Sequence, residues 1–70
     1  MKKVNITIIF FNTGENRLLE VIYGKTIQNI LEEINYNCDK YGLYNIHNKR
    51  LPLQLPIRGD LMLTLRENDS

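Results

Sequence analysis

The chain has 70 residues, a formal charge of +1 and 43% hydrophobic residues. That is enough for one small domain, which removes only about 60% of its extended surface from water on folding. Near-neutrality supplies no overall field for phosphate backbones or anionic bilayers. The longest apolar run, Ile8 to Phe11, falls far short of the roughly 20 residues that cross a bilayer, and the single Cys38 cannot close an internal disulfide. Lys2 and Lys3 ahead of Val4 to Phe11 have the charge of a secretory leader, but Asn5 and Thr7 interrupt the segment and no small-residue cleavage site follows. The expectation is a cytoplasmic protein forming one domain over 1–70, with an ordered core over about 2–67.

Val4, Ile6, Ile8 and Phe10 alternate with Lys3, Asn5, Thr7 and Ile9, the period of a half-buried strand rich in β-branched residues. Asn12 to Asn16 supplies turn residues around Gly14, which takes positive φ at no steric cost. Alternation resumes from Arg17 to Tyr23 with Leu19, Val21 and Tyr23 inward, so the two segments predict an antiparallel hairpin with one apolar face. Gly24 and Lys25 break the strand. Ile27, Ile30, Leu31 and Ile34 then fall at i, i+3, i+4 and i+7, one apolar stripe of a helix. Thr26 is its expected N-cap, without a capping box because Asn29 stands where Glu or Gln would. The helix should fade through Asn35 to Asp39, with Gly42 as its stop.

Leu43 to His47 reads as a short third strand with Tyr44 and Ile46 on the core side, followed by an Asn48-Lys49-Arg50 turn. Pro52 and Pro56 make Leu51 to Ile57 an edge strand or extended connection. After the Arg58-Gly59-Asp60 turn, Leu61, Leu63 and Leu65 alternate with Met62, Thr64 and Arg66 in a last half-buried strand, before the polar tail Glu67 to Ser70.

This order resembles the ubiquitin-like β-grasp fold, an α+β class in which a mixed sheet of four or five strands packs on one amphipathic helix. The residues that carry the resemblance are Leu19-Glu20-Val21, Thr26-Ile27-x-Asn29-Ile30 with Ile34 a turn later, Asn48-Lys49-Arg50-Leu51, and Leu61-x-Leu63-x-Leu65-Arg66. It implies that the first and last strands run parallel at the sheet centre. It also marks departures. Conjugated modifiers and the sulfur carriers ThiS and MoaD end in diglycine, whereas this sequence reads Arg66 to Ser70 there; the sheet positions of ubiquitin's recognition patch hold Asn45 and Thr64. In class the chain resembles the small bacterial YukD/EsaB-like proteins that accompany type VII secretion, and its Asn-, Ile- and Lys-rich composition fits an AT-rich genome. The implied function is a non-enzymatic interaction module, an accessory or adaptor subunit. The alternatives are a sulfur-carrier or modifier-like protein serving an adenylating enzyme, and a nucleic-acid-binding β-grasp module.

Placing the strand residues above against the helix leaves Ile9, Phe11, Leu18 and Ile22 on the opposite face of the hairpin, with Met62 adjoining. A patch of a few hundred Å² is of the size that marks contacts, and a protein partner or a second copy of the chain would fit it. Against this, apolar atoms cover over half of any folded surface, and the segment Tyr36 to Tyr41 could cover the face. Cys38 and His47 are expected to be ordinary residues: one thiol and one imidazole fall short of a metal site, and a dyad would need them to meet. Thus no catalytic, cofactor or metal residue is assigned. Lys49, Arg50, Arg58 and Arg66 near Tyr41 and Tyr44 form the basic and aromatic rim that a nucleic-acid reading would use; the same residues also serve to guard a sheet edge.

Overall fold

The structure is a computed structural model and describes residues 1–68; Asp69 and Ser70, the end of the expected tail, lie outside the described residues. Among the described residues there are four strands and one α-helix: β1 (Lys3–Phe10), β2 (Asn16–Ile22), α1 (Ile27–Glu33), β3 (Tyr41–Tyr44) and β4 (Leu61–Glu67). The sheet order is β2-β1-β4-β3. β1 is antiparallel to β2 and parallel to β4, and β4 is antiparallel to β3. The expected mixed sheet with its first and last strands paired at the centre is therefore what forms.

The β1–β2 turn closes where expected. The carbonyl of Phe10 accepts from the amides of Thr13 (3.2 Å) and Gly14 (2.7 Å), and Gly14 sits at φ +76°. In the register Val4 pairs with Val21 and Ile6 with Leu19, so the period-2 apolar residues of both strands share one face.

The helix termini correct two expectations. Thr26 Oγ1 accepts from the Asn29 amide while Asn29 Oδ1 accepts from the Thr26 amide, each at 3.2 Å. The capping box is thus present, closed by an Asn side chain. The other two amides of the first turn, Ile27 and Gln28, donate to the carbonyls of Leu55 (3.1 Å) and Leu53 (3.0 Å). The proline-bearing connection therefore lies across the helix start and satisfies donors that a helix leaves unpaired. At the other end the stop is Asn35, not Gly42. Asn35 takes φ +64°, its amide donates to Glu32 O and the Tyr36 amide to Leu31 O, the pair of bonds that defines a Schellman motif.

Gly42 is instead a strand residue. A Cβ there would lie 2.5 Å from Asn68 Oδ1 and 3.1 Å from Arg50 Nε, so a side chain would push both neighbours away from β3. With the strand beginning at Tyr41, its facing is the reverse of that expected. Leu43 pairs with Leu65 in the core and is fully buried, Tyr44 pairs with Thr64 on the opposite face, and Ile46 lies beyond the strand, 74% exposed. Tyr44 is nevertheless buried, because the Arg66 guanidinium covers its ring 4.1 Å from the centroid. Tyr23, expected inward, pairs beyond β2 with Lys2 and is exposed, with the Lys2 ammonium 4.6 Å from its ring.

The core fills the space between α1 and one face of the sheet. Ile6, Ile8, Ile27, Ile30, Leu31 and Leu43 are fully buried there, with Leu63 and Ile57 almost so. Each such side chain contributes about 1.5–3 kcal/mol of hydrophobic stabilisation. Tyr36 closes the core edge against Phe10 and Tyr41, with ring centroids 5.8 and 4.9 Å away.

Candidate protein-binding face

The ladder registers locate the expected contact residues Ile9, Leu18, Ile22 and Met62 on the face turned away from α1, whereas Phe11 follows the end of β1 and lies outside the ladder. Leu18 pairs with Thr7 and Thr7 with Met62, so these three form one row across β2, β1 and β4. Leu18 is 68% and Met62 52% exposed. Ile9 is two residues along β1 from Thr7, between Asn16 and Thr64, and is half-buried. The segment Tyr36 to Tyr41 does not cover this face; Tyr36 and Tyr41 pack against the core.

Ile22 and Phe11 are exposed but stand apart from that row. Ile22 pairs with Lys3, and between it and Leu18 lies a polar row in which Asn5 pairs with Glu20 and Lys3 Nζ reaches Glu20 Oε1 at 3.3 Å. Phe11 follows the last residue of β1. At about 3.3 Å per residue it lies some 26 Å along the strand from the Lys3–Ile22 pair, on the rim of a groove with Asn12, Arg66 and Glu67. The five expected residues therefore make one compact group, Ile9, Leu18 and Met62, and two outliers.

Met62 also belongs to a second apolar surface that the pattern of the sequence did not reveal. Where β3 ends at Tyr44, the first half of β4 loses its neighbour on that side, and a groove of about 470 Å³ opens there, walled by Ile46, Leu55, Leu61 and Met62. All four are exposed. Alternation places Leu61 inward, but it pairs with Ile6 at the very start of β4 and keeps an exposed flank. The signal available in the sequence was Ile46, an apolar residue within an Asn-rich turn: Asn45 Oδ1 accepts from the amides of His47 (2.9 Å) and Lys49 (3.0 Å), a tight turn that carries Ile46 at its tip.

Within the basic rim Arg50 and Arg66 both lie beside β3, while Arg58 stands at the other end of β4. Arg58 precedes β4, whose first residue Leu61 is about 17 Å along the strand from Arg66. The aromatic rings that a nucleobase would stack on are engaged, Tyr44 under Arg66 and Tyr41 edge-on to Tyr36. His47 is exposed on the Asn45–Lys49 turn, whereas Cys38 is half-buried and packed on the core. No cluster of three or more His, Cys, Asp or Glu suited to a metal occurs among the described residues, and among them no helix is long and apolar enough to cross a membrane.

Solved structures share this architecture over the whole chain. The ubiquitin-like domain of an Arabidopsis thaliana protein superposes with a TM-score of 0.66 at 15% identity, covering 100% of this chain and 82% of that one. The EccD5 ubiquitin-like domain from Mycobacterium xenopi gives a TM-score of 0.66 at 12% identity, covering 100% and 99%. No protein-family model matches the chain and no curated protein matches it in sequence. The fold is the ubiquitin-like β-grasp.

Proposed function

We propose that this is a non-enzymatic ubiquitin-like interaction module, a bacterial cytoplasmic accessory subunit that binds a protein through the outer face of its sheet around Met62. The observation that carries this is the exposed Leu18–Thr7–Met62 row running into the groove formed by Ile46, Leu55 and Leu61. A partner that buries a few hundred Å² of this surface gains several kcal/mol at about 25 cal/mol per Å², before association costs. Ile22 and Phe11 stand apart from this surface, beyond the Lys3–Glu20 pair and past the end of β1 respectively. Similarity to EccD5, a type VII secretion component, supports placing the module in a secretion apparatus of that kind.

The test is site-specific photo-crosslinking in the producing cell. A photoreactive residue at Met62 or Ile46 should capture one defined protein, and the same residue at Glu32, on the exposed side of α1, should not. A partner from a secretory membrane complex supports the secretion assignment, and any other single partner removes it while leaving the binding face in place. Equal capture from Glu32, or none from Met62 and Ile46, refutes the face itself.

A further inference from the structure

The two edges of the sheet are finished differently. Beside β3 the chain folds back, with Tyr44 bridged to Arg50 and the Leu51 amide donating to Leu43 O at 2.9 Å. Along β2 no described segment returns in this way. The ladder identifies the groups left over. Phe10 N donates to Glu15 O and Tyr23 N to Lys2 O, so in the register of β1 with β2 the bonded positions are Arg17, Leu19 and Val21, while Asn16, Leu18, Glu20 and Ile22 turn their N–H and C=O outward. The Ile22 carbonyl accepts from Lys25 at 3.1 Å. Asn16, Leu18 and Glu20 keep both main-chain groups facing outward from the edge.

We propose that a second copy of this chain pairs with that edge, antiparallel, about a two-fold axis normal to the sheet at Leu18. Such an axis keeps the two core faces on one side, so opposed residues must point to the same face. Three registers meet that condition over most of β2. Centred on Glu20, two carboxylates oppose each other. Centred on Leu19, Leu18 opposes the partner's Glu20 and Asn16 the partner's Ile22, apolar against polar on the outer face. Centred on Leu18, Leu18 opposes the partner's Leu18 and Asn16 opposes the partner's Glu20, an amide donor against a carboxylate. In that register the three residues with outward-facing groups are the three that pair, giving about six main-chain hydrogen bonds. The Lys3–Glu20 ion pair leaves the charge beside the incoming Asn16 balanced, and the Leu18–Thr7–Met62 row continues through the axis into the partner's own row.

One strand edge with its flanking side chains lies at the small end of interface sizes, about 1,200 Å² in total or less, so the dimer is a concentration-dependent equilibrium. Sedimentation equilibrium between about 10 μM and about 1 mM should show the average mass rising above the 8.3 kDa monomer. Over the same range the Leu18 and Glu20 amides should slow in hydrogen exchange by about tenfold or more relative to the dilute protein. Leu18→Lys places like charges at the axis, and Leu18→Pro removes the central donor at an edge position that tolerates proline. Both should remain folded by circular dichroism and monomeric. Met62→Asp, two strands from the edge, should still dimerise, which separates this contact from the binding face proposed above. A monomeric mass up to about 1 mM overturns the proposal. So does a dimer in which Leu18 and Glu20 exchange as fast as in the monomer, or one lost with Met62→Asp and kept with Leu18→Pro.

Discussion

The two faces of the sheet arise from one alternation and end in opposite states. On the inner face Val4, Ile6, Ile8, Phe10, Val21, Leu43, Leu63 and Leu65 are all buried beneath α1 and the 51–57 connection. On the outer face Leu18 and Met62, of similar size and polarity, stand in solvent between Thr7, Thr64 and the Lys3–Glu20 pair. The single helix of seven residues among the described residues can cover one face only. What remains apolar on the other face costs the monomer little and is available to a partner, so the inner face should answer to stability and the outer face to binding.

The difference can be broken most severely from inside. Ile30→Ala empties a fully buried site and should lower unfolding free energy by about 2–5 kcal/mol. A domain of this length holds on the order of 5 kcal/mol, so the urea midpoint of the variant should fall by roughly 40% or more. Gly42→Ala forces a methyl group against Asn68 and Arg50 and should cost about 1–3 kcal/mol in the same titration. Thr26→Ala removes the hydroxyl of the capping box and should cost about 1 kcal/mol. Lys3→Ala breaks an ion pair between two exposed side chains. Its effect should be below about 0.5 kcal/mol and should vanish in high salt.

Where a strong period coincided with a compatible neighbour, the sequence was readable. β1, β2, α1 and β4 lie where alternation and the i, i+3, i+4 stripe predict them, and the parallel pairing of the outermost strands in the sequence follows the β-grasp resemblance. β3 departs from the expected bounds because it contains Gly42, and glycine ordinarily breaks a strand. Gly42 is in the strand for a tertiary reason, the close approach of Arg50 and Asn68, and the pairing of Leu43 with Leu65 and of Tyr44 with Thr64 turns Leu43 rather than Tyr44 to the core. The helix caps differ for a local reason: Asn29 at the third helical position closes the box, and Asn35 takes the left-handed conformation that stops the helix well before Gly42.

The contact face was legible in part. Period 2 separates the outer residues from the inner ones but does not say which become neighbours across strands. That depends on the β1–β4 register, which brought Met62 beside Leu18 through Thr7 and left Ile22 and Phe11 at opposite ends. The groove at Ile46, Leu55 and Leu61 comes from the early end of β3, a boundary that alternation alone does not mark.

The most direct test joins both halves of the comparison in a single variant, the double substitution Leu18→Asp, Met62→Asp, carried through urea unfolding and through capture of the partner identified by crosslinking. The account predicts an unfolding free energy within about 0.5 kcal/mol of the parent for each exposed site changed and loss of the partner. A partner retained at parental affinity would contradict the assignment of the outer face to binding, and a loss of stability comparable to that of Ile30→Ala would show that this face belongs to the core.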